Sequence, residues 1–200
     1  FLALLENKNN NTQKSIDFIK SYINKNNKDY RPYLFYGNIL FKDNKWFDAL
    51  FNYQSSLLNR NNIEAFLGIG KCLMGLNSYG RALIAFENAL EINVDSHDAH
   101  YYSGICYIKL KKYKEAITNL THSLMLNPNY KEIYYYLGLA YINTHNNIRA
   151  LDALKRAINI DPENGDAYFL LGKIYEDILE IEKSTNNYLL AKKFSTDNEL

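Results

Sequence analysis

Glycines recur through this chain at a spacing that few folds can satisfy. Gly70, Gly104, Gly138 and Gly172 are each 34 residues apart, and Gly37 precedes Gly70 by 33. Twelve residues after each comes a small residue: Ala49, Ala82, Ala116, Ala150 and Ser184. Seven further on comes another: Ser56, Ala89, Ser123, Ala157 and Ala191. Pro128 and Pro162 close two of the units. A fixed period of this length is the signature of a stacked repeat, each unit too small to bury its own apolar face.

Bulky residues at helical spacing lie between the small ones. In HDAHYYSGICYIKLKKYKEAITNLTHSLMLNPNY, Ala99, Ser103, Gly104 and Tyr107 share one side of a first segment. Tyr113, Ala116, Ile117 and Leu120 share one side of a second. That i, i+3, i+4, i+7 pattern marks helices with one buried stripe. The turn between them falls at Lys111–Lys112. Each unit therefore reads as two antiparallel helices of about 13 residues, closest together at the small columns.

These residues resemble the tetratricopeptide repeat family. The pattern is a bulky residue at position 4, Leu-Gly at 7–8, Tyr at 11, Ala at 20, an aromatic at 24, Ala at 27 and Pro at 32. Tyr134, Leu137, Gly138, Tyr141, Ala150, Leu154, Ala157 and Pro162 show it best. The resemblance implies an all-α, right-handed α-solenoid of antiparallel helix pairs. Its units are 30–62, 63–96, 97–130, 131–164 and 165–198, all in one solenoid domain, with 1–29 a partial repeat. Residues 12–24 fit the second helix of that partial repeat, with Ser15, Ile19 and Tyr22 in columns 20, 24 and 27, and FLALLE the tail of its first helix. Departures from the pattern are the residue missing before Ile63, Val94 in place of Pro, and Ser184 in place of Ala. The chain starts without Met and stops at STDNEL, which reads as a fragment or processed product of a longer protein.

Composition narrows function mainly by exclusion. Lys plus Arg is 23 and Asp plus Glu is 22, a net charge of +1. That balance gives no global attraction to nucleic acid. No apolar run reaches the ~18 residues that would span a bilayer, and the apolar opening does not read as a signal peptide. The two cysteines, Cys72 and Cys106, fall at position 10 of adjacent units, roughly a helix spacing of 8–10 Å apart. A disulfide needs a closer approach, so they read as unpaired buried thiols that weakly favour a reducing, cytoplasmic setting.

The usual chemistries find no footing. GIGKCLMG at 68–75 has the glycines of a phosphate loop, but they fall mid-helix and Cys72 follows the Lys. His97 and His100 share a helix face with no third ligand at zinc-like spacing. His100 takes the bulky position 4, a packing site. KLKKYKE at 109–115 reads as a solvated turn. No nucleophile and base can be paired, so the chain is read as non-catalytic, with no cofactor and no metal.

The resemblance implies a concave face lined by positions 2, 5, 6, 9, 12 and 13 of the first helices, where such proteins hold peptides. Position 2 carries Arg31, Glu64, Asp98, Glu132 and Asp166; acids there suit the helix dipole, and the alternative is an acidic rail that selects basic partner residues. The candidate partner-binding residues are Phe35, Asn38, Lys71, Tyr101, Tyr102, Ile105, Tyr135, Tyr136, Leu139, Phe169 and Lys173. With Ile108 and Ile142 they form an apolar, aromatic stripe on a face expected to be wet, and such patches mark interaction sites. Position 6 is expected to face this groove and not the paired helix, which makes Tyr102 and Tyr136 replaceable without harm to the fold. The cationic set by which one subset of the family grips a chaperone's C-terminal carboxylate is missing: Leu34, Gly68, Asp98 and Tyr102 stand where it needs other residues. The sequence therefore points to a scaffold or adaptor holding another protein's peptide or helix in its groove, with no nucleic acid and no membrane span. The alternatives are a substrate-selecting repeat region of a larger enzyme and a self-association module.

Overall fold

In a computed structural model, the structure describes residues 12–196. Among them lie eleven helices. They are α1 (Thr12–Lys25), α2 (Tyr30–Lys42), α3 (Trp46–Asn59), α4 (Ile63–Gly75), α5 (Tyr79–Ile92), α6 (His97–Lys109), α7 (Tyr113–Leu126), α8 (Ile133–Asn143), α9 (Asn147–Ile160), α10 (Gly165–Asp177) and α11 (Ile181–Thr196). The chain divides into two compact units at Tyr102 and Ser103. FLALLE lies outside the described residues.

In the first unit α1 packs on α2, α2 pairs with α3, α3 packs on α4, and α4 pairs with α5. In the second, α7 packs on α8, α8 pairs with α9, α9 packs on α10, and α10 pairs with α11. The cores are correspondingly local. Leu40, Ala49, Tyr53, Ala65 and Cys72 form one cluster. Ala150, Leu154, Ala157, Ala167, Leu171 and Ile174 form another.

One contact recurs in every pair. The glycine at position 8 faces the side chain at position 24 of its partner helix. A Cβ on Gly70 would stand 2.3 Å from Phe86, and one on Gly172 2.7 Å from Tyr188. Gly37 faces Tyr53, Gly104 faces Leu120, and Gly138 faces Leu154, each closer than 3 Å. These glycines serve close approach, not backbone freedom. A Cβ on Gly68, another glycine of the phosphate-loop look-alike, would stand 2.5 Å from the Tyr53 ring.

The turns inside the pairs are built alike. Asn44, Asn77, Lys111, His145 and Leu179 all sit at position 15 with φ between 56° and 62°. Each turn closes with an amide at position 16 donating to the carbonyl at position 11, as Lys45 to Leu40 at 2.9 Å and Glu180 to Tyr175 at 2.8 Å. That is a left-handed helix cap, which usually takes glycine; none of these five residues is glycine.

Helix starts show where the period misleads. α2, α4, α6 and α10 begin at the first position of their unit, each after a polar residue. Asp29, Asn62, Ser96 and Asn164 accept from the amides of Arg31, Ala65, Ala99 and Ala167. α8 begins at Ile133, two residues later than the period predicts. Tyr130 stands at the capping position there, and its hydroxyl lies too far out along the ring to reach back to the first-turn amides. In α1, Ser15 and Ile19 are buried, but Tyr22 is exposed, its hydroxyl donating to Asp29 at 3.3 Å. Its ring is too large for the column that Ser56, Ala89, Ser123 and Ala157 fill elsewhere.

Candidate functional site

The candidate residues lie on the first helices of the pairs, and each unit holds its own set. In the first unit, Phe35 is half-buried on α2 and Asn38 is exposed beside it. The Tyr53 hydroxyl donates to Asn38 Oδ1 at 2.8 Å. This bond orients the Asn38 amide. Burial pushes the Tyr53 hydroxyl's pKa up, so it stays a donor.

Lys71 is held between rings. Its Nζ lies 5.9 Å from the centroid of Phe41 on α2, the first helix of the preceding pair, and 5.2 Å from that of Tyr102 on α6, the first helix of the following pair. Cation–π attraction to two rings holds the ammonium in place. No carboxylate lies within salt-bridge distance of it among the described residues.

Tyr101 and Tyr102 correct the expectation of a wet stripe. Tyr101 is only 6% exposed and meets the Tyr102 ring edge-on at 5.1 Å. Tyr102 is half-buried and stacks on Phe86, centroids 5.7 Å apart and planes at 18°. Position 6 therefore does not face the groove alone. It meets the position-24 side chain of the preceding pair, as Gly68 meets Tyr53.

In the second unit Ile105 is likewise buried, at 7% exposure, and Ile108 at 8%. Tyr135, Tyr136, Leu139 and Ile142 are half-buried along α8. Tyr135 and Tyr136 meet edge-on at 5.2 Å. Burial, with the negative Asp166 as a second cause, raises the Tyr135 pKa. Phe169 is 49% exposed, with Tyr188 5.7 Å from its ring and the Lys173 ammonium 5.7 Å above it. Tyr188 donates to Glu176 Oε2 at 2.6 Å, and that bond pushes its pKa up to about 12.

The sequence reading left three contributors off its candidate set: Phe41, Tyr53 and Tyr188. Tyr53 and Tyr188 stand in column 24 of the repeat, opposite Gly37 and Gly172. The signal was available, since a polar-tipped ring opposite a glycine reaches across to side chains of the first helix, as Tyr53 does to Asn38 and Tyr188 to Glu176.

Catalytic chemistry has little to work with. Cys72 and Cys106 are free and fully buried. Burial pushes both thiols up to about 12, which suppresses the nucleophilic thiolate. His100 Nε2 bonds the Val94 carbonyl at 3.0 Å, a packing role for the side chain. Among the described residues no group of His, Cys, Asp or Glu is placed to hold a metal. No helix among them is long and apolar enough to cross a membrane.

Comparison with known proteins bears on the family and the fold. Residues 104–144 and 149–178 match a tetratricopeptide repeat family model, and 42–123 match the model for anaphase-promoting complex, cyclosome, subunit 3. The chain is a tetratricopeptide repeat protein. Its fold class is the all-α solenoid. Among solved structures it is similar to YrrB, described as a tetratricopeptide protein with an unusual peptide-binding site. The two share 26% identity over 90% of this chain and 93% of that one, with a TM-score of 0.74. It also has the fold of MamA 41-end from Desulfovibrio magneticus RS-1, at 22% identity, 86% and 97% coverage and a TM-score of 0.77. A second MamA structure matches at 24% identity, 80% and 95% coverage and a TM-score of 0.72. No curated protein matches this tetratricopeptide chain by sequence. The fold is that of a protein-interaction repeat scaffold.

Proposed function

We propose that this chain is a non-catalytic adaptor that holds a segment of a partner protein against the inner side of its first helices. The observation that carries the reading is Lys71, an ammonium half-buried between Phe41 and Tyr102. Side chains kept for packing alone do not need a cation set among apolar and aromatic ones. Leu139, Phe169 and Lys173 repeat that mixture in the second unit. The half-buried aromatic residues supply contact area at small entropic loss, and the polar groups set register. The peptide-binding site described for YrrB supports a groove of this kind.

The test is site-specific photocrosslinking. A photoreactive phenylalanine at Phe35 or at Leu139 captures partner protein from an extract of the source cells, and the same probe at Ile148, on the outer side of α9, does not. Capture at Ile148 with none at Phe35 and Leu139 overturns the reading.

A further inference from the structure

The second helices carry four outward columns that the packing of the pairs does not use: positions 18, 22, 25 and 29. In α1, α5, α7, α9 and α11 these columns always hold at least one charged side chain. They are Asp17 and Lys20; Glu87 and Glu91; Lys114; Asp152 and Lys155; Glu182 and Lys193. In each of these helices no more than one of the four is a large apolar residue. α3 is the exception. Its four are Phe47, Phe51, Gln54 and Leu58, with no charge among them. Phe47 is 75% exposed, Phe51 68% and Leu58 88%. The fold does not require these three side chains, because the equivalent columns elsewhere do without them.

The spacing i, i+4, i+7, i+11 is that of a seam along which one helix packs on another. We propose that this stripe is the interface of a homodimer, with α3 lying antiparallel against α3 of a second copy. A two-fold interface requires a self-complementary patch, and this one qualifies: reversal sets Phe47 opposite Leu58 of the second copy and Phe51 opposite Gln54. Charge fixes the direction. Asp48 lies at the start of the helix and Arg60 just past its end, and no carboxylate pairs with Arg60 among the described residues. Antiparallel packing brings Asp48 within about one turn of Arg60 of the second copy, whereas parallel packing would set like against like. The area decides the strength. Three side chains exposed to this degree offer about 400 Å² per copy, and the rim of Asp48, Ser55 and Asn59 brings the pair to about the 1,000 Å² that a specific interface needs. That is a reversible dimer with a dissociation constant in the micromolar range.

Sedimentation of the whole chain from about 1 to about 500 µM tests it. The weight-average mass is expected to rise from one copy to two across that range. Phe51→Asp and Leu58→Glu should hold it at one copy throughout, with an unchanged melting curve. Ile148→Asp, at an equally exposed outer position, should leave the rise intact. Asp48→Arg should weaken the dimer about tenfold, and Arg60→Asp added to it should restore the original value. A constant single-copy mass overturns the proposal. So does a dimer that survives Phe51→Asp, or one that Ile148→Asp abolishes. A dimer that Asp48→Arg does not weaken overturns the antiparallel arrangement.

Discussion

Tyr102 stacks face to face on Phe86, a residue with no exposed surface, and so ties the start of one helix pair to the interior of the pair before it. Truncating this half-buried ring removes contacts on one face only. Tyr102→Asn is expected to lower unfolding free energy by about 2 kcal/mol, and Tyr102→Phe by well under half of that. Denaturant titration measures both. An unchanged midpoint for Tyr102→Asn would show that the stacking contributes nothing.

Gly70 and Gly80 make a matched pair of tests. Both are helical, but a Cβ on Gly70 would strike Phe86, whereas one on Gly80 meets nothing within 4 Å. Gly70→Ala is expected to destabilise by about 1–3 kcal/mol through overpacking. Gly80→Ala is expected to stabilise by about 0.5 kcal/mol, since alanine loses less backbone freedom on folding. Opposite signs in thermal melts are the diagnostic.

Leu179 has φ of 62° and is 80% exposed. A branched side chain in the left-handed region costs about 1 kcal/mol, and little burial offsets it. Leu179→Gly should therefore raise stability by about 0.5–1 kcal/mol, despite the extra freedom of glycine in the unfolded chain. A lower melting temperature would show that the turn is held by something other than its backbone.

The buried thiols set an alkaline limit. Cys72 and Cys106 have pKa values pushed from 9.0 up to about 12 in the folded protein. Between those values the unfolded chain gives up protons that the folded one keeps. Stability is thus intact below about pH 9 and falls as pH rises from there toward 12. Tyr53, also raised by burial, adds to the fall above pH 10. Cys72→Ser with Cys106→Ser should flatten the decline in unfolding free energy measured from pH 8 to 10.5, whatever it does to stability at pH 7. Native protein should react with a thiol reagent at pH 8 only as fast as it opens.

Asn62 caps α4 and also bonds outward. It accepts from the Ala65 amide at 2.8 Å, and its Nδ2 donates to Ser56 Oγ at 3.2 Å and to the Arg60 carbonyl at 2.9 Å. Asn62→Ala should cost about 2 kcal/mol, more than an exposed cap, because a buried acceptor and a partly buried one lose a donor with it. A loss below about 0.5 kcal/mol would contradict that account.

Much of the fold was legible because the glycines and small residues repeat with a period, and a period fixes angle around each helix. Depth is a different matter. Tyr101 and Ile105 were placed on the correct helix and read as wet, yet both are buried. Angle says which way a side chain leaves its helix, not how far a neighbour's ring extends over it. The contact of Tyr102 with Phe86 needs a residue from the previous pair's second helix, a relation that a pattern confined to one unit does not contain. The late start of α8 follows from Tyr130, where one residue's capping chemistry outweighs the period.

The residue missing before Ile63 shows where this architecture tolerates a change of length. The connection from α3 to α4 has three residues, 60–62, where those from α5 to α6 and from α9 to α10 have four. The turns within pairs do not vary: each has three residues with the left-handed one in the middle. One residue added inside a pair would rotate everything after it by about 100° and carry column 24 away from its glycine. Added between pairs, it would be taken up by loop. Insertions and deletions in this lineage should therefore collect at residues 60–62, 93–96, 127–132 and 161–164, leaving the pairs to be copied, lost or exchanged whole.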